Sequence, residues 1–394
     1  MKPGKAIFVI LDGVGIGALP DAGAYGDEGS NTLGNTAGVC GGLRLPNLGR
    51  FGLGCIAAIE GVAGIRDPDG CYGKMAERSV GKDSTTGHWE LGGLITDKAF
   101  PLYPRGFPPE LLERFKRLTG CAGYLGNKPA SGTEIIKDLG SEHLRTGFPI
   151  IYTSGDSVFQ IAAHEDVIPL KRLYEICEVT RTQVLVGEHE AGRVIARPFI
   201  GTEGSFVRTT NRRDFALEPA GSTILDLLSE EGIETVGVGK IDDLFCGRGL
   251  HEKIHTKSNS DGVKATLEAA ARVRSGFIMT NLVDFDALYG HRQDPAGMAR
   301  ALEEFDKTMP AFLSSLDAGD LLMFSADHGN DPTDQSTDHT REFVPLLCTI
   351  KGGKRGIDLG VRSTFADAAK TIADYFSLSR GDGLRGNSFL HLLV

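Results

Sequence analysis

Short runs of consecutive apolar residues alternate along the chain with segments whose apolar positions recur every three or four residues, the pattern of an α/β protein. The runs at 6–11 (AIFVIL), 235–239, 277–283 and 321–325 are continuous, so they predict strands covered on both faces. Between the last two, Asp294 and Pro295 supply an N-cap and a first-turn proline. Met298, Leu302, Phe305, Met309, Phe312 and Leu316 then follow at helical spacing and predict a single core-facing helix. A later helix is predicted from about Thr364 to Tyr375.

Two stretches interrupt this alternation. Residues 101–110 (PLYPRGFPPE) carry four prolines, and residues 208–222 are polar and basic. Strand-like runs at 149–153 and 193–200 lie between them, so the pattern predicts a smaller α/β domain inserted into the first. The expected division is 1–97 with 218–394 as a core and 98–217 as the insert. A length of 394 residues agrees with two domains rather than one core.

Composition narrows the function. A formal net charge of −10 opposes general nucleic-acid binding. The seven Cys include no C-x-x-C pair, which predicts reduced, buried thiols in a reducing compartment. The first apolar run is only six residues before Asp12 and Gly13, too short for a secretory signal, and no run approaches membrane-spanning length. The expectation is a cytoplasmic enzyme with no membrane, nucleic-acid or protein partner implied.

Three predicted strands end in acids: Asp12, Asp284 with Asp286, and Asp327. Ligands of open α/β sheets collect at such carboxyl ends. Histidines accompany the acids at Asp286–His291, Asp327–His328 and Asp338–His339. Carboxylates mixed with imidazoles suit a divalent first-row metal such as Mn²⁺ or Zn²⁺ rather than Ca²⁺, and six or seven such ligands suit two metals better than one. The segment GKDSTTGHWE, 81–90, sets the hydroxyls of Ser84, Thr85 and Thr86 between Asp83 and Gly87. It reads either as a polar turn with Ser84 or Thr85 as a helix N-cap, or as a metal-activated nucleophile at a helix start.

Two familiar motifs fail. Lys82 is followed by Asp83 where a P-loop needs Ser or Thr. Gly13-x-Gly15 follows a strand, but Pro20 and the Gly-rich stretch to Gly34 leave no room for the helix that would hold a pyrophosphate. Residues 193–213 hold five arginines (Arg193, Arg197, Arg208, Arg212, Arg213) against one acid, Glu203. Arg193 and Arg197 stand in an otherwise apolar run, where guanidinium groups need an anion such as phosphate. Lys240 ends another predicted strand and adds positive charge at the ligand-bearing edge.

These segments, with LDGVGIGALPDA, NKPASGTE, RVIARPFIG, TKSNSDG, NLVDFDALYGHR and ADHGNDPTDQSTDHTRE, resemble the bacterial-type phosphopentomutases of the alkaline phosphatase superfamily, in order and over nearly the whole chain. The resemblance implies an alkaline-phosphatase-like core with a mainly parallel sheet flanked by helices, interrupted by an α/β cap domain. It implies two Mn²⁺ ions, one on Asp12, Asp327 and His328 together with the nucleophile, the other on Asp286, His291 and His339. The phosphate-accepting hydroxyl of the family, usually Thr, falls on Ser84, with Thr85 as the alternative. Sugar-phosphate contacts fall on Asp156, Arg193, Ile195 and Arg208, and on Lys240 of the core, with Ser154 and Lys128 as neighbours. The implied reaction interconverts ribose 1-phosphate and ribose 5-phosphate, and the 2-deoxyribose pair, through a phosphoserine enzyme and a pentose 1,5-bisphosphate. A sugar bisphosphate activator such as glucose 1,6-bisphosphate would recharge it. A phosphatase, phosphodiesterase or phosphoglycerate mutase on the same core is the alternative, and a silent phospho-sugar sensor a third reading.

Overall fold

The first apolar run becomes Lys5–Leu11, a central strand of an eight-stranded sheet. A computed structural model of the chain describes residues 4–154 and 157–394. To one side of Lys5–Leu11 lie Gly276–Leu282, Glu234–Val238 and Glu252–Ile254; to the other, Leu321–Ser325, Val344–Ile350, Cys71–Met75 and Asp358–Arg362. The first five in space, from Glu252–Ile254 to Leu321–Ser325, are parallel. Val344–Ile350 is antiparallel to both neighbours, so the sheet is mixed but mainly parallel. Lys5–Leu11, Gly276–Leu282 and Leu321–Ser325 are buried at every position, which is why their sequences are continuous rather than alternating.

Register sets the functional edge. Ile10 pairs with Asn281 and with Ser325, and Leu11 with Leu282. The three strands therefore end level, and Asp12, residues 283–286 and Asp327 leave the sheet at one edge.

The helix after Gly276–Leu282 begins as its sequence predicts: Pro295–Asp306 starts with Asp294 accepting a hydrogen bond from the Gly297 amide (2.8 Å). It is not continuous, however. A second helix, Met309–Ser314, carries the rest of the apolar stripe. Pro310 has no N–H to offer the carbonyl of Asp306 and its ring crowds that turn, so the chain breaks between them. Met298, Leu302, Phe305, Met309, Phe312 and Leu316 are nonetheless all buried. The later helix is Ala366–Phe376. The seven cysteines are free, but only Cys71, Cys177 and Cys348 are buried. Cys40 is exposed at the end of the helix Thr32–Cys40, and Cys55, Cys121 and Cys246 are half-buried, which corrects the expectation of uniformly buried thiols.

The chain divides into two compact units, Met1–Lys98 with Pro219–Val394, and Ala99–Glu218. The second unit has its own sheet, ordered Leu125–Pro129, Ile150–Thr153, Val158–His164, Arg193–Ile200 and Val207–Arg208, with Arg213–Ala216 also pairing Arg193–Ile200. Its apolar core is built around Phe107, Phe115, Phe159 and Leu173, with a smaller cluster around Ile135, Tyr152 and Phe199. Among the described residues, no helix is long and apolar enough to cross a membrane.

Candidate metal-dependent active site

Ser84 is the first residue of the helix Ser84–Leu91. The N-cap is neither Ser84 nor Thr85 but Asp83, whose Oδ1 accepts from the amides of Thr85 (3.0 Å) and Thr86 (3.1 Å) and whose Oδ2 accepts from Thr86 Oγ1 (2.7 Å). A carboxylate satisfies those helix-end amides, so the Ser84 hydroxyl is not needed for capping. It lies 3.0 Å from His328 Nε2 and donates a long hydrogen bond to Asp12 Oδ1 (3.5 Å). Gly87 lets this helix lie directly on the functional edge: a Cβ there would collide with the carbonyl of Asp327.

Asp12, Asp286 and Asp327 form one cluster with His291, His328 and His339, and that hydroxyl adjoins it. His328 Nε2 is 3.3 Å from Asp12 Oδ1 and 3.3 Å from Asp327 Oδ2. His291 Nε2 is 3.3 Å from Asp286 Oδ2, and His339 Nε2 is 3.4 Å from Asp286 Oδ1. Two overlapping triads have ligand atoms all within 4.8 Å of one another, Asp286 with His291 and His339, and Asp12 with Asp286 and His328. Asp286 belongs to both. Asp12, Asp327 and His328 are almost fully buried, while His291 is partly open to solvent. Asp284 stays out of this cluster, accepting instead from the Asn259 amide (2.7 Å), and Asp338 faces Lys82 (3.4 Å).

Groups that the sequence reading passed over hold the ligands in place. Asn281 Nδ2 donates to Asp12 Oδ2 (2.7 Å) and lies 3.2 Å from His88 Nε2. His88 Nδ1 bonds to the Ser84 carbonyl (2.8 Å) and sits 3.0 Å from Asp327 Oδ2. Asn330 Nδ2 donates to Asp286 Oδ1 (2.7 Å), and the Gly13 amide donates to Asp327 Oδ1 (3.1 Å). One signal was available: Asn281 is an amide inside an otherwise apolar strand, where a buried polar group needs a partner.

Two donor atoms test whether cations fit here. Asp327 Oδ2 and His339 Nε2 are buried, and although ring nitrogens of His88 and His328 stand 3.0 and 3.3 Å from the first and Asp286 Oδ1 stands 3.4 Å from the second, neither makes an aligned hydrogen bond among the described residues. Orphaned ligand atoms in a cluster of three buried carboxylates are what a divalent-cation site presents, and the mixed oxygen–nitrogen donor set suits a first-row ion. The electrostatics agree. Burial opposes protonation of His328, yet Asp327 and Asp12 lift its pKa well above the usual imidazole range. Burial likewise opposes ionisation of Asp286, but His339 and His291 hold its carboxyl well below the usual range. Its hydrogen bond to Asp286 raises His291 to about 9. The acids thus demand positive charge, which cations can supply in place of protons.

Of the residues expected to bind substrate, Lys240 precedes the short helix Ile241–Leu244, beyond the carboxyl end of Glu234–Val238. In the second unit, Arg193 and buried Ile195 share the strand Arg193–Ile200, and Arg208 stands on its neighbour Val207–Arg208. Arg193 lies 3.8 Å from Asp214. Asp156 lies outside the described residues.

Fold and site together define a metalloenzyme of the alkaline phosphatase type, and the family model of the Metalloenzyme superfamily matches residues 4–380. A phosphoglycerate mutase from Leishmania mexicana shares the fold at 11% identity, with a TM-score of 0.52 over 98% of this chain and 97% of that one. More closely, the chain is 56% identical to the phosphopentomutase of Dictyoglomus thermophilum, over 98% of this chain and 97% of that protein. It is 54% identical to that of Caldanaerobacter subterraneus, over 99% and 98%. The chain belongs to the phosphopentomutase family, and is an isomerase of the intramolecular phosphotransferase class.

Proposed function

We propose that the enzyme interconverts the 1- and 5-phosphates of ribose and 2-deoxyribose, with Ser84 as the residue that carries the phosphoryl group between them. The observation that carries this reading is the position of the Ser84 hydroxyl, 3.0 Å from His328 Nε2 and 3.5 Å from Asp12 Oδ1, against two members of the acid–imidazole cluster. Two divalent cations, Mn²⁺ by preference, would be held by Asp12, Asp327 and His328 and by Asp286, His291 and His339, supplying positive charge against the oxygens of the transferring group. Phosphorylated Ser84 donates its phosphoryl to the free hydroxyl of a pentose phosphate, the Oγ–P bond breaking as the sugar O–P bond forms. The pentose 1,5-bisphosphate then returns its other phosphoryl to Ser84 and leaves as the isomer. Asn281 and the Gly13 amide hold Asp12 and Asp327 in place through both steps, and His88 ties the Ser84 carbonyl to the same cluster. The interrupted unit is the catalytic core and the inserted unit the cap; Arg193, Ile195 and Arg208, with Asp156 and Lys240, contribute sugar-phosphate contacts. A sugar bisphosphate such as glucose 1,6-bisphosphate recharges enzyme that has lost its phosphoryl group.

Intact-mass analysis after incubation with glucose 1,6-bisphosphate and Mn²⁺ tests this. Wild type is expected to gain one phosphoryl group mapping to Ser84, and Ser84→Ala to gain none and to lose mutase activity. Label on Thr85 would move the acceptor by one residue.

A further inference from the structure

The segment 77–81 leads directly into Lys82, Asp83 and Ser84, yet it belongs to no helix or strand. Its carbonyls are held from outside. Arg341 Nη1 donates to the carbonyls of Ser79 (2.7 Å) and Gly81 (2.8 Å) and to Glu77 Oε2 (2.8 Å), and Nη2 donates to the Glu77 carbonyl (3.1 Å). The remaining N–H groups go to Asp21, from Nε (3.3 Å) and Nη2 (3.1 Å). Tyr25 covers the guanidinium, its ring centroid 4.8 Å from Cζ, and its hydroxyl donates to the intervening carbonyl of Val80 (2.8 Å). The Arg341 side chain is only 3% exposed. Every N–H of one guanidinium is thus spent on the approach to Ser84 and on Asp21.

Arg341 is two residues beyond His339 in the sequence. Its main chain makes a second tie: its amide donates to Asp27 Oδ2 (2.8 Å), and both oxygens of Asp27 accept from Lys82 Nζ (3.0 Å each). We propose that Arg341 is a positioning residue for phosphoryl transfer, its guanidinium fixing the nucleophile-bearing segment to the loop that carries His339, so that Ser84 and the ligand cluster keep one register. The proposal rests on Ser84 being the phosphoryl acceptor. A planar fork of five donors can span these carbonyls together; a lysine ammonium with three donors cannot. Small displacements of a reacting group cost rate far more than they cost binding, by about a hundredfold for about 1 Å.

The test compares Arg341→Lys with Arg362→Lys. Arg362 also makes internal ties in the same unit, to Asp367 (2.7 Å) and the Asn387 carbonyl (2.9 Å), but on the edge strand Asp358–Arg362. Arg341→Lys is expected to lower kcat and the rate of Ser84 phosphorylation together by about a hundredfold, with KM and bound Mn²⁺ little changed. Arg362→Lys is expected to lower the unfolding midpoint and leave kcat unchanged. Label forming on Ser84 of Arg341→Lys at the wild-type rate overturns the proposal alone; label on another hydroxyl in wild type overturns the acceptor assignment and this proposal with it. Should Arg341→Lys fail to fold, Tyr25→Phe removes only the tie to Val80. A several-fold fall in its kcat at constant KM supports the proposal, and an unchanged kcat rejects it.

Discussion

The acid–imidazole cluster of the interrupted unit and the arginine face of the inserted unit are charged regions of opposite sign, built on opposite plans. In the first, the carboxylates Asp12, Asp286 and Asp327 each receive a hydrogen bond from an uncharged group, Asn281, Asn330 or the Gly13 amide, and each is buried. In the second, Arg197 donates to Gln160 (3.0 Å), Arg212 pairs with Asp214 (2.7 Å), and Arg193 and Arg208 stand partly or wholly exposed. Burial and the neighbouring Arg212 lower the pKa of Arg197, and the buried Tyr152 hydroxyl makes no hydrogen bond among the described residues. Ligands for a resident cation gain from being fixed in advance, because each misplacement weakens several bonds at once. If the arginine face takes up and releases an anionic sugar at every turnover, as proposed, charge that water can still reach suits that role.

That contrast is broken or sharpened by substitution on each side. The largest effect is expected at Asp286, whose two oxygens face His291 and His339 and which lies in both triads. Asp286→Asn should lose bound metal, read by elemental analysis, and lower kcat by about a thousandfold or more, the equivalent of about 4 kcal/mol of charge stabilisation. On the other side, Arg208→Ala would remove the charge-assisted sugar-phosphate contact proposed for it, worth about 1.5–3 kcal/mol. KM for ribose 5-phosphate should rise about ten- to a hundredfold while kcat and metal content hold. An Arg208→Ala enzyme that lost turnover as severely as Asp286→Asn would erase the distinction between the two regions.

Much of the first region was readable because its residues sit where local pattern ends. A buried run stopping at an acid marks Asp12 and Asp327, and marks Asp286 only together with Asp284, which turns to Asn259 instead; His291 and His328 follow their acids within five residues, while His339 was marked by Asp338. The same logic placed the core strands within a residue of their observed positions. The break at Pro310 is not visible in the apolar stripe, which keeps its period on either side; it follows from the missing N–H alone. Asp83 as N-cap was the less obvious choice because three hydroxyls compete beside it. What no local pattern could supply were the long-range ties. Asn281 reaches Asp12 across 269 residues of chain and His88 across 193, and Arg341 reaches Gly81 across 260. Such partners are chosen by strand register, which the sequence states only after the sheet order is known.

A third buried charge tests how far these rules carry, with its effect expected in stability rather than turnover. Glu342 lies fully buried and accepts from the amides of Gly17 (3.0 Å) and Thr32 (2.9 Å) and from the hydroxyls of Thr32 (2.8 Å) and Thr340 (2.7 Å). Like the acids of the cluster it is held by uncharged donors, but it faces no imidazole in these contacts. Burial therefore dominates, and lifts its pKa from 4.5 to about 7. A carboxyl whose folded pKa is raised takes up a proton on folding, so its contribution is full below about 4.5 and is lost as pH climbs through about 7. Glu342→Gln cannot titrate. The unfolding free energy of wild type relative to this variant should fall by about 3 kcal/mol between pH 4.5 and pH 8, read from urea melts of both proteins. The comparison cancels titration of the metal ligands, which both proteins share. A difference that stays flat with pH would mean the four hydrogen bonds keep Glu342 ionised throughout, and that donors alone, without a neighbouring positive charge, suffice to hold a buried carboxylate in this fold.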